Sequence, residues 1–392
     1  MRVTIERSAF LKSLNHVHRV VERRNTIPIL SNVLLRARDG ALELKATDLD
    51  VEVIETVPAE IEEPGGTTVA AHLLYDIVRK LPEGTQALLE TRNEDGTLQL
   101  RAGRSRFALQ ALPEADFPNL NVGEFPNRFT LASTELKRLI DKTQFAISTE
   151  ETRYYLNGIY FHALNEGGRD ILRAVATDGH RLAQVEMPAP EGAAGMPGVI
   201  VPRKAVNEVL RLLDDIGGDV VVDLSDSKIR FTFGKEHEDG DASRRDSSRP
   251  DPSQRLVLTS KLIDGAFPDY ARVIPRANDK SLVVTRGDFT EAVDRVSTVS
   301  SERGRAVKLS LNDGRMVLTV TNPDSGSATE ELSVDYTAPP LDIGFNSRYL
   351  LDIAAQLEGE TALFKLSDPG SPTLVQDKEG GGALYVLMPM RV

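Results

Sequence analysis

The chain has 392 residues, 40% of them hydrophobic and 27% charged, so it is long enough to bury more than one core. It contains no cysteine, which excludes disulfides, thiolate nucleophiles and cysteine-ligated metals. Forty-seven basic against 59 acidic residues give a net charge of −12, which on average repels nucleic acid and anionic membranes, and no apolar run approaches the roughly 18 residues that cross a bilayer.

The opening MRVTIERSAF lacks an apolar leader core, so a cytoplasmic location is the expectation. VTIERSAFLKSLNHVHRVV predicts a strand and then a helix over 7–24, because Phe10, Leu14, Val17 and Val21 fall on one helical face. TTVAAHLLYDIVRKL predicts a second strand and a helix over 72–81. FTLASTELKRLIDKTQFAI then repeats the opening, with Leu136, Ile140 and Ile147 standing 126 positions after Phe10, Leu14 and Val21. GVIVPRKAVNEVLRLL predicts a helix over 203–215. LVVTRGDFTEAVDRVSTV predicts another over 286–305, where Phe289, Val293 and Val296 follow Phe10, Leu14 and Val17 by 279 positions. LDIGFNSRYLLDIAAQL predicts the last, 347–360, and Ser8, Ser133 and Asp288 are the expected caps of the repeated helix.

Alternating apolar runs such as GALELKATDLDVEVIETV and DILRAVATDGHRLAQVEM predict antiparallel strands with one buried face. The fold class is therefore α+β: three tandem copies of a module with two helices and an antiparallel sheet, over 1–125, 127–272 and 273–392. KEHEDGDASRRDSSRPDPSQ, 235–254, has no periodicity and is expected to be a disordered, solvent-exposed tip.

Charge is unevenly spread. The six helical segments sum to +4, which leaves −16 for the rest of the chain. Two readings of those cations stand: solvated faces of amphipathic helices, or a surface that meets phosphates without regard to sequence. No aromatic is interleaved with them and the chain has no Trp, so base stacking is not indicated.

Phosphate-binding glycine loops, zinc-protease and serine-nucleophile motifs are absent, and no cofactor or metal is expected. ATDGHRL places Asp178, His180 and Arg181 within four residues, as an acid/base site or simply as a hairpin turn at Asp178-Gly179. The C-terminus, ALYVLMPMRV, is apolar almost to its end. It reads either as a core strand or as the lip of an apolar groove with Met388 and Met390 around Pro389.

RYYLNG (Arg153–Gly158), ATDGHRL (Ala176–Leu182), GAFPDY (Gly265–Tyr270) and MPMR (Met388–Arg391), in this order, resemble the bacterial sliding clamp family, the beta subunits of DNA polymerase III. NTIPIL (Asn25–Leu30) and SRFALQALPEADFPNL (Ser105–Leu120) belong to the same pattern, and only 235–254 stands outside it. The resemblance implies the DNA clamp fold and a processivity factor without catalytic activity. Two such chains would close head to tail into a ring-shaped homodimer with duplex DNA in the hole. The implied partners are duplex DNA, the catalytic subunit of DNA polymerase III, the clamp-loader complex and other proteins with a clamp-binding motif; no membrane partner is implied.

A peptide-binding pocket is implied as well. Its deep part would use Leu156, Thr177, Gly179, His180, Arg181, Leu182, Pro268, Val273, Val386 and Met388. A shallower part would use Arg153, Tyr155, Asn346, Tyr349, Pro389, Met390 and Arg391. DNA-facing candidates by the same resemblance are Arg24, Arg79, Lys80, Lys137, Arg138, Lys142, Arg203, Lys204 and Arg211. Phe107 and Leu109 would meet Thr298 and Val299 of a second copy, although Thr298 is less apolar than the family pattern suggests. Glu150, an acid just before RYYLNG, is a second departure. The alternatives are a peptide-binding scaffold of the same fold that does not encircle DNA, and an enzyme built on Asp178, His180 and Arg181.

Overall fold

The computed structural model describes residues 1–92, 96–120, 123–234, 255–301 and 305–392. The expected tip at 235–254 lies outside the described residues; the strands on either side of it pair antiparallel, with Phe233 opposite Leu256. Among the described residues there are six α-helices: α1 (Arg7–Val17), α2 (Ala71–Lys80), α3 (Ser133–Gln144), α4 (Arg203–Asp215), α5 (Arg286–Ser297) and α6 (Ser347–Ala354). No helix among the described residues is long and apolar enough to cross a membrane.

All six fall where the periodicity predicts them, but α1, α5 and α6 are shorter than 7–24, 286–305 and 347–360. After Val17 the chain tightens into a 3-10 turn, His18–Val20. There the His18 ring stacks on Tyr75 of α2 at 3.9 Å while its Nδ1 bonds the Leu14 carbonyl at 2.7 Å, a tertiary contact that overrides further helix. The cap of α1 also differs from expectation. Glu6 rather than Ser8 receives the free Ala9 N–H, at 2.9 Å, and the Ser8 hydroxyl donates to Glu6 instead.

The molecule divides into two compact units. The first comprises Met1–Lys137, Pro190–Met196 and Lys204–Leu262. It holds an antiparallel 13-stranded sheet, ordered 127–132, 219–224, 228–233, 255–261, 51–58, 41–47, 32–38, 65–70, 105–112, 97–102, 86–92, 2–6 and 60–63. The predicted apolar face of α1 is wholly buried, with Phe10, Leu14 and Val17 at 0% exposure, against the strands 41–47 and 51–58. Each such side chain contributes about 1.5–3 kcal/mol by leaving water. Arg7 donates from Nε to the Val78 carbonyl (3.1 Å) and from its terminal nitrogen to the Arg79 carbonyl (2.6 Å), so it closes the C-terminus of α2. His16 meets Glu55 at 2.8 Å with both side chains buried, joining α1 to the sheet beneath.

The second unit comprises Arg138–Ala189, Pro197–Arg203 and Ile263–Val392. Its eight-stranded antiparallel sheet is ordered 199–202, 158–166, 169–177, 181–188, 383–387, 373–377, 361–366 and 280–285. A four-stranded sheet runs 326–333, 315–322, 306–312 and 341–346. Phe289, Val293 and Val296 of α5 are buried as their spacing predicts, and the Phe289 ring meets Phe364 edge-on at 5.3 Å. Asn346 caps α6 by accepting from the Arg348 N–H at 3.0 Å.

Candidate functional site

The strands 169–177 and 181–188 are joined by the Thr177–Arg181 hairpin. Asp178 Oδ1 accepts from the His180 and Arg181 N–H groups at 2.9 and 3.0 Å, and Thr177 Oγ1 accepts from Gly179 N and donates to the Arg181 carbonyl. Gly179 sits at φ +88°, and a Cβ there would stand 2.5 Å from an Arg153 nitrogen. The turn is a repeated device. Asp48 accepts from Asp50 N and Val51 N, and Thr47 bonds the Val51 carbonyl and the Leu49 N–H, in a hairpin that contains neither His nor Arg. Asp178 is thus occupied by backbone and by Arg181, and shapes a turn rather than an acid/base site.

Arg181 uses its whole guanidinium. It lies over the rings of Tyr349 (4.3 Å) and Phe145 (5.1 Å), and it donates to Asp178 (3.1 Å), Asp352 (2.5 Å) and the Phe145 carbonyl (2.6 Å). One half-buried cation therefore ties the hairpin to α6 and to the residue just past α3. The C-terminus resolves into both readings the sequence left open. Ala383–Leu387 is a sheet strand that pairs Val386 with Leu182 and Leu387 with Arg181; beyond it, Met388 N–H donates to the His180 carbonyl at 2.9 Å and its side chain is 40% exposed.

These elements enclose a mostly apolar cleft of about 290 Å³. Leu156, Thr177, Gly179, Arg181, Leu182, Pro268, Val273, Val386 and Met388 line it together with Arg153 and Tyr155. Of the deep set only His180 lies elsewhere: with Asn346 and Tyr349 it lines a neighbouring depression of about 390 Å³, where its ring faces Tyr349 at 6.5 Å. Pro389, Met390 and Arg391 line neither; Met390 N–H bonds the Gly344 carbonyl instead. Asp269 and Tyr270 line the cleft and were missed, although GAFPDY already contained them. Glu150 is paired with Arg153 at 2.7 Å, and that hydrogen bond lowers its pKa, so the acid at this loop is locally compensated.

The sequence models of three DNA polymerase III beta subunit domains match the chain: the N-terminal domain over residues 1–121, the central over 130–239 and the C-terminal over 271–391. The chain is 54% identical to the beta sliding clamp of Caulobacter vibrioides over 392 residues, all of both proteins, and 39% identical to that of Escherichia coli over the full length of both. The chain belongs to the DNA polymerase III beta subunit family. Solved structures agree: a sliding clamp from Bartonella birtlesii bound to griselimycin matches at TM-score 0.92 with 55% identity over all of both chains. The Caulobacter crescentus clamp matches at 0.93 with 54% identity, covering 100% of this chain and 99% of that one. A clamp is a processivity factor that works with DNA and replication proteins, and it is not an enzyme.

The clamp's helix-borne cations are mostly engaged within the chain. The six helices carry 13 basic and 10 acidic side chains, a smaller surplus than the longer predicted segments. Arg79 meets Asp76 at 3.2 Å, Lys137 meets Asp214 at 2.8 Å, Lys204 meets Asp48 at 2.5 Å and Glu22 at 2.6 Å, and Arg211 meets Glu208 at 2.5 Å. Arg138 donates to the Gly381 carbonyl. Lys142 departs from its assignment as DNA-facing: it is 9% exposed, meets Glu358 at 2.8 Å and donates to the Gln356 carbonyl, so it is a buried tie. Arg24, Lys80 and Arg203 are exposed with no ion pair among the described residues.

At the expected subunit contact, Phe107 is half-buried and Leu109 is 6% exposed, so Leu109 already serves the core of its own unit. Thr298 is exposed just past α5, and the carbonyl of half-buried Val299 accepts from Asn322.

Proposed function

We propose that two copies of this clamp close head to tail into a ring around duplex DNA, and that the apolar cleft takes an extended segment of partner proteins through Leu or Phe anchors. Three repeats, 1–125, 127–272 and 273–392, would supply six domains to the ring. Two sheet edges support the pairing of copies. Among the described residues, 105–110 hydrogen-bond a neighbouring strand on one side only, and 326–333 is the outer strand of the four-stranded sheet. The first edge carries the exposed Arg106 beside Phe107; on the second, Glu330 is held by Arg295 at 2.6 Å, while Glu331, in an exposed pair with Arg315 at 3.3 Å, can exchange its partner for a cation of the facing edge.

The partners that fit are the DNA polymerase III catalytic subunit, the clamp-loader complex and other proteins with a clamp-binding motif, working in the cytoplasm. Arg24, Lys80 and Arg203 are the cations best placed for phosphates; Arg79 and Lys137, whose partners Asp76 and Asp214 are exposed, need only exchange them, which costs little in water. A ring retains DNA by topology, so modest phosphate contact suffices.

The observation that carries the reading is the cleft itself, apolar, concave and rimmed by Met388 and Arg153. Fluorescence polarisation with a labelled Leu/Phe-anchored peptide tests it. Met388→Ala removes apolar surface that a bound peptide would cover and is expected to weaken binding roughly tenfold. Unchanged affinity in that variant would place the peptide elsewhere.

A further inference from the structure

One wall of the cleft comes from a segment with almost no backbone support. Between residues 264 and 277, among the described residues, no backbone N–H or C=O bonds to any other part of the unit; the only backbone bonds are internal, Arg272 N–H to Asp269 and Val273 N–H to Tyr270. The segment nevertheless supplies Pro268, Tyr270 and Val273 to the cleft. Its one hydrogen-bonding side chain to the sheet is Tyr270, whose hydroxyl lies 2.9 Å from His162 Nε2 and accepts from Arg173 at 3.2 Å.

Each partner of that hydroxyl is itself fixed. Arg173, 9% exposed, is clamped by Glu186 at 2.7 Å and Glu166 at 2.9 Å. The His162 ring stacks on Tyr160 at 4.5 Å, and Tyr160 stacks on Phe267 of the same segment at 4.8 Å. Burial, and then the Arg173 charge, lower the His162 pKa to about 4, so at neutral pH the ring is uncharged. With Nε2 as the acceptor, Tyr270 donates to it and accepts from Arg173, and His162 Nδ1 is left buried without a partner among the described residues, so Tyr270 supplies the one hydrogen bond of that ring.

We propose that the Tyr270 hydroxyl, held between His162 and Arg173, locks the 264–277 strap against the sheet and so preforms one wall of the cleft. Tyr270 is a positioning residue for peptide binding, a role that rests on the reading of the cleft given above. A strap fixed before the peptide arrives spares binding the ordering of that wall. Without the lock the strap keeps only its apolar contacts, Phe267, Tyr270 and Ile274 against Val175, Leu182 and Val386.

The chain has no cysteine, so Ala271→Cys places a single nitroxide on an exposed strap position. In that background Tyr270→Phe and His162→Leu are expected to sharpen the electron paramagnetic resonance spectrum. His162→Gln, which keeps a hydrogen-bonding group at the reach of Nε2, is expected to restore the restricted spectrum. Tyr270→Phe is further expected to weaken the Leu/Phe-anchored peptide roughly three- to tenfold, the worth of one hydrogen bond. Restricted spectra in both Tyr270→Phe and His162→Leu overturn the lock, and sharpening with unchanged peptide affinity overturns its role in preforming the cleft wall. A peptide that fails to bind the unsubstituted chain overturns the reading of the cleft instead, while the spectra, recorded without peptide, still decide whether the hydroxyl holds the strap.

Discussion

A side chain at Gly179 would meet the Arg153 guanidinium. At φ +88° an alanine carries backbone strain of about 1 kcal/mol, and its Cβ would push the Arg153 guanidinium off the cleft rim. Gly179→Ala is therefore expected to lower the melting temperature by a few degrees and to weaken peptide binding as well; a variant that binds peptide normally would show that Arg153 is dispensable. Two histidines make a prediction about acid. His18 and His162 are each lowered to about 4, chiefly by burial, from the value of 6.5 that an unfolded chain retains. Between those values the unfolded chain binds more protons, so stability is complete above 6.5 and is lost as pH falls toward 4. Melting temperature should drop as pH falls from about 6.5 toward 4, and the drop should shrink in His162→Gln; a flat profile would contradict both assignments. At this scale most of the cleft was legible, because Leu156, Leu182 and Met388 belong to recognisable motifs. Tyr270 also stands in such a motif, GAFPDY, but its hydroxyl contact with His162, 108 positions away, is announced by no local pattern.

The hairpins at 47–51 and 177–181 share the bonds that their Thr and Asp side chains make to the turn backbone, yet only one borders an apolar cleft. Two strand positions account for the difference. Val175 and Leu182 line or underlie the cleft, whereas the residues 130 positions earlier are Lys45 and Glu52, a pair 2.7 Å apart and almost wholly buried. Lys45 also donates to Asn119 and Glu52 accepts from the Leu120 N–H, so the polar pair is satisfied and offers no apolar floor. Peptide titration by calorimetry should accordingly give one site per chain; two would contradict this account. The open strand edges give a second prediction. Arg106→Glu is expected to weaken self-association of the chain by about tenfold, read by analytical ultracentrifugation, with partial recovery on adding Glu331→Arg. Full dimerisation of the single variant would show that other residues carry the contact. Element type and helix faces were readable because burial of Phe10, Leu14, Phe289 and Val293 follows directly from their period. Helix ends were not, since the His18–Tyr75 stack and the Glu6 cap depend on tertiary neighbours.

At the scale of the whole molecule the net charge of −12 and a DNA-associated function stand together without conflict, provided retention comes from enclosure. Most helix-borne cations already have carboxylate partners, so affinity for phosphates alone is modest and falls steeply with salt. The most direct measurement follows from that. The clamp is loaded onto circular DNA and onto the same DNA linearised, and retention is compared at moderate salt. Persistence on the circle with loss from the linear form is the predicted result; equal loss from both would mean ordinary phosphate binding and would contradict the ring.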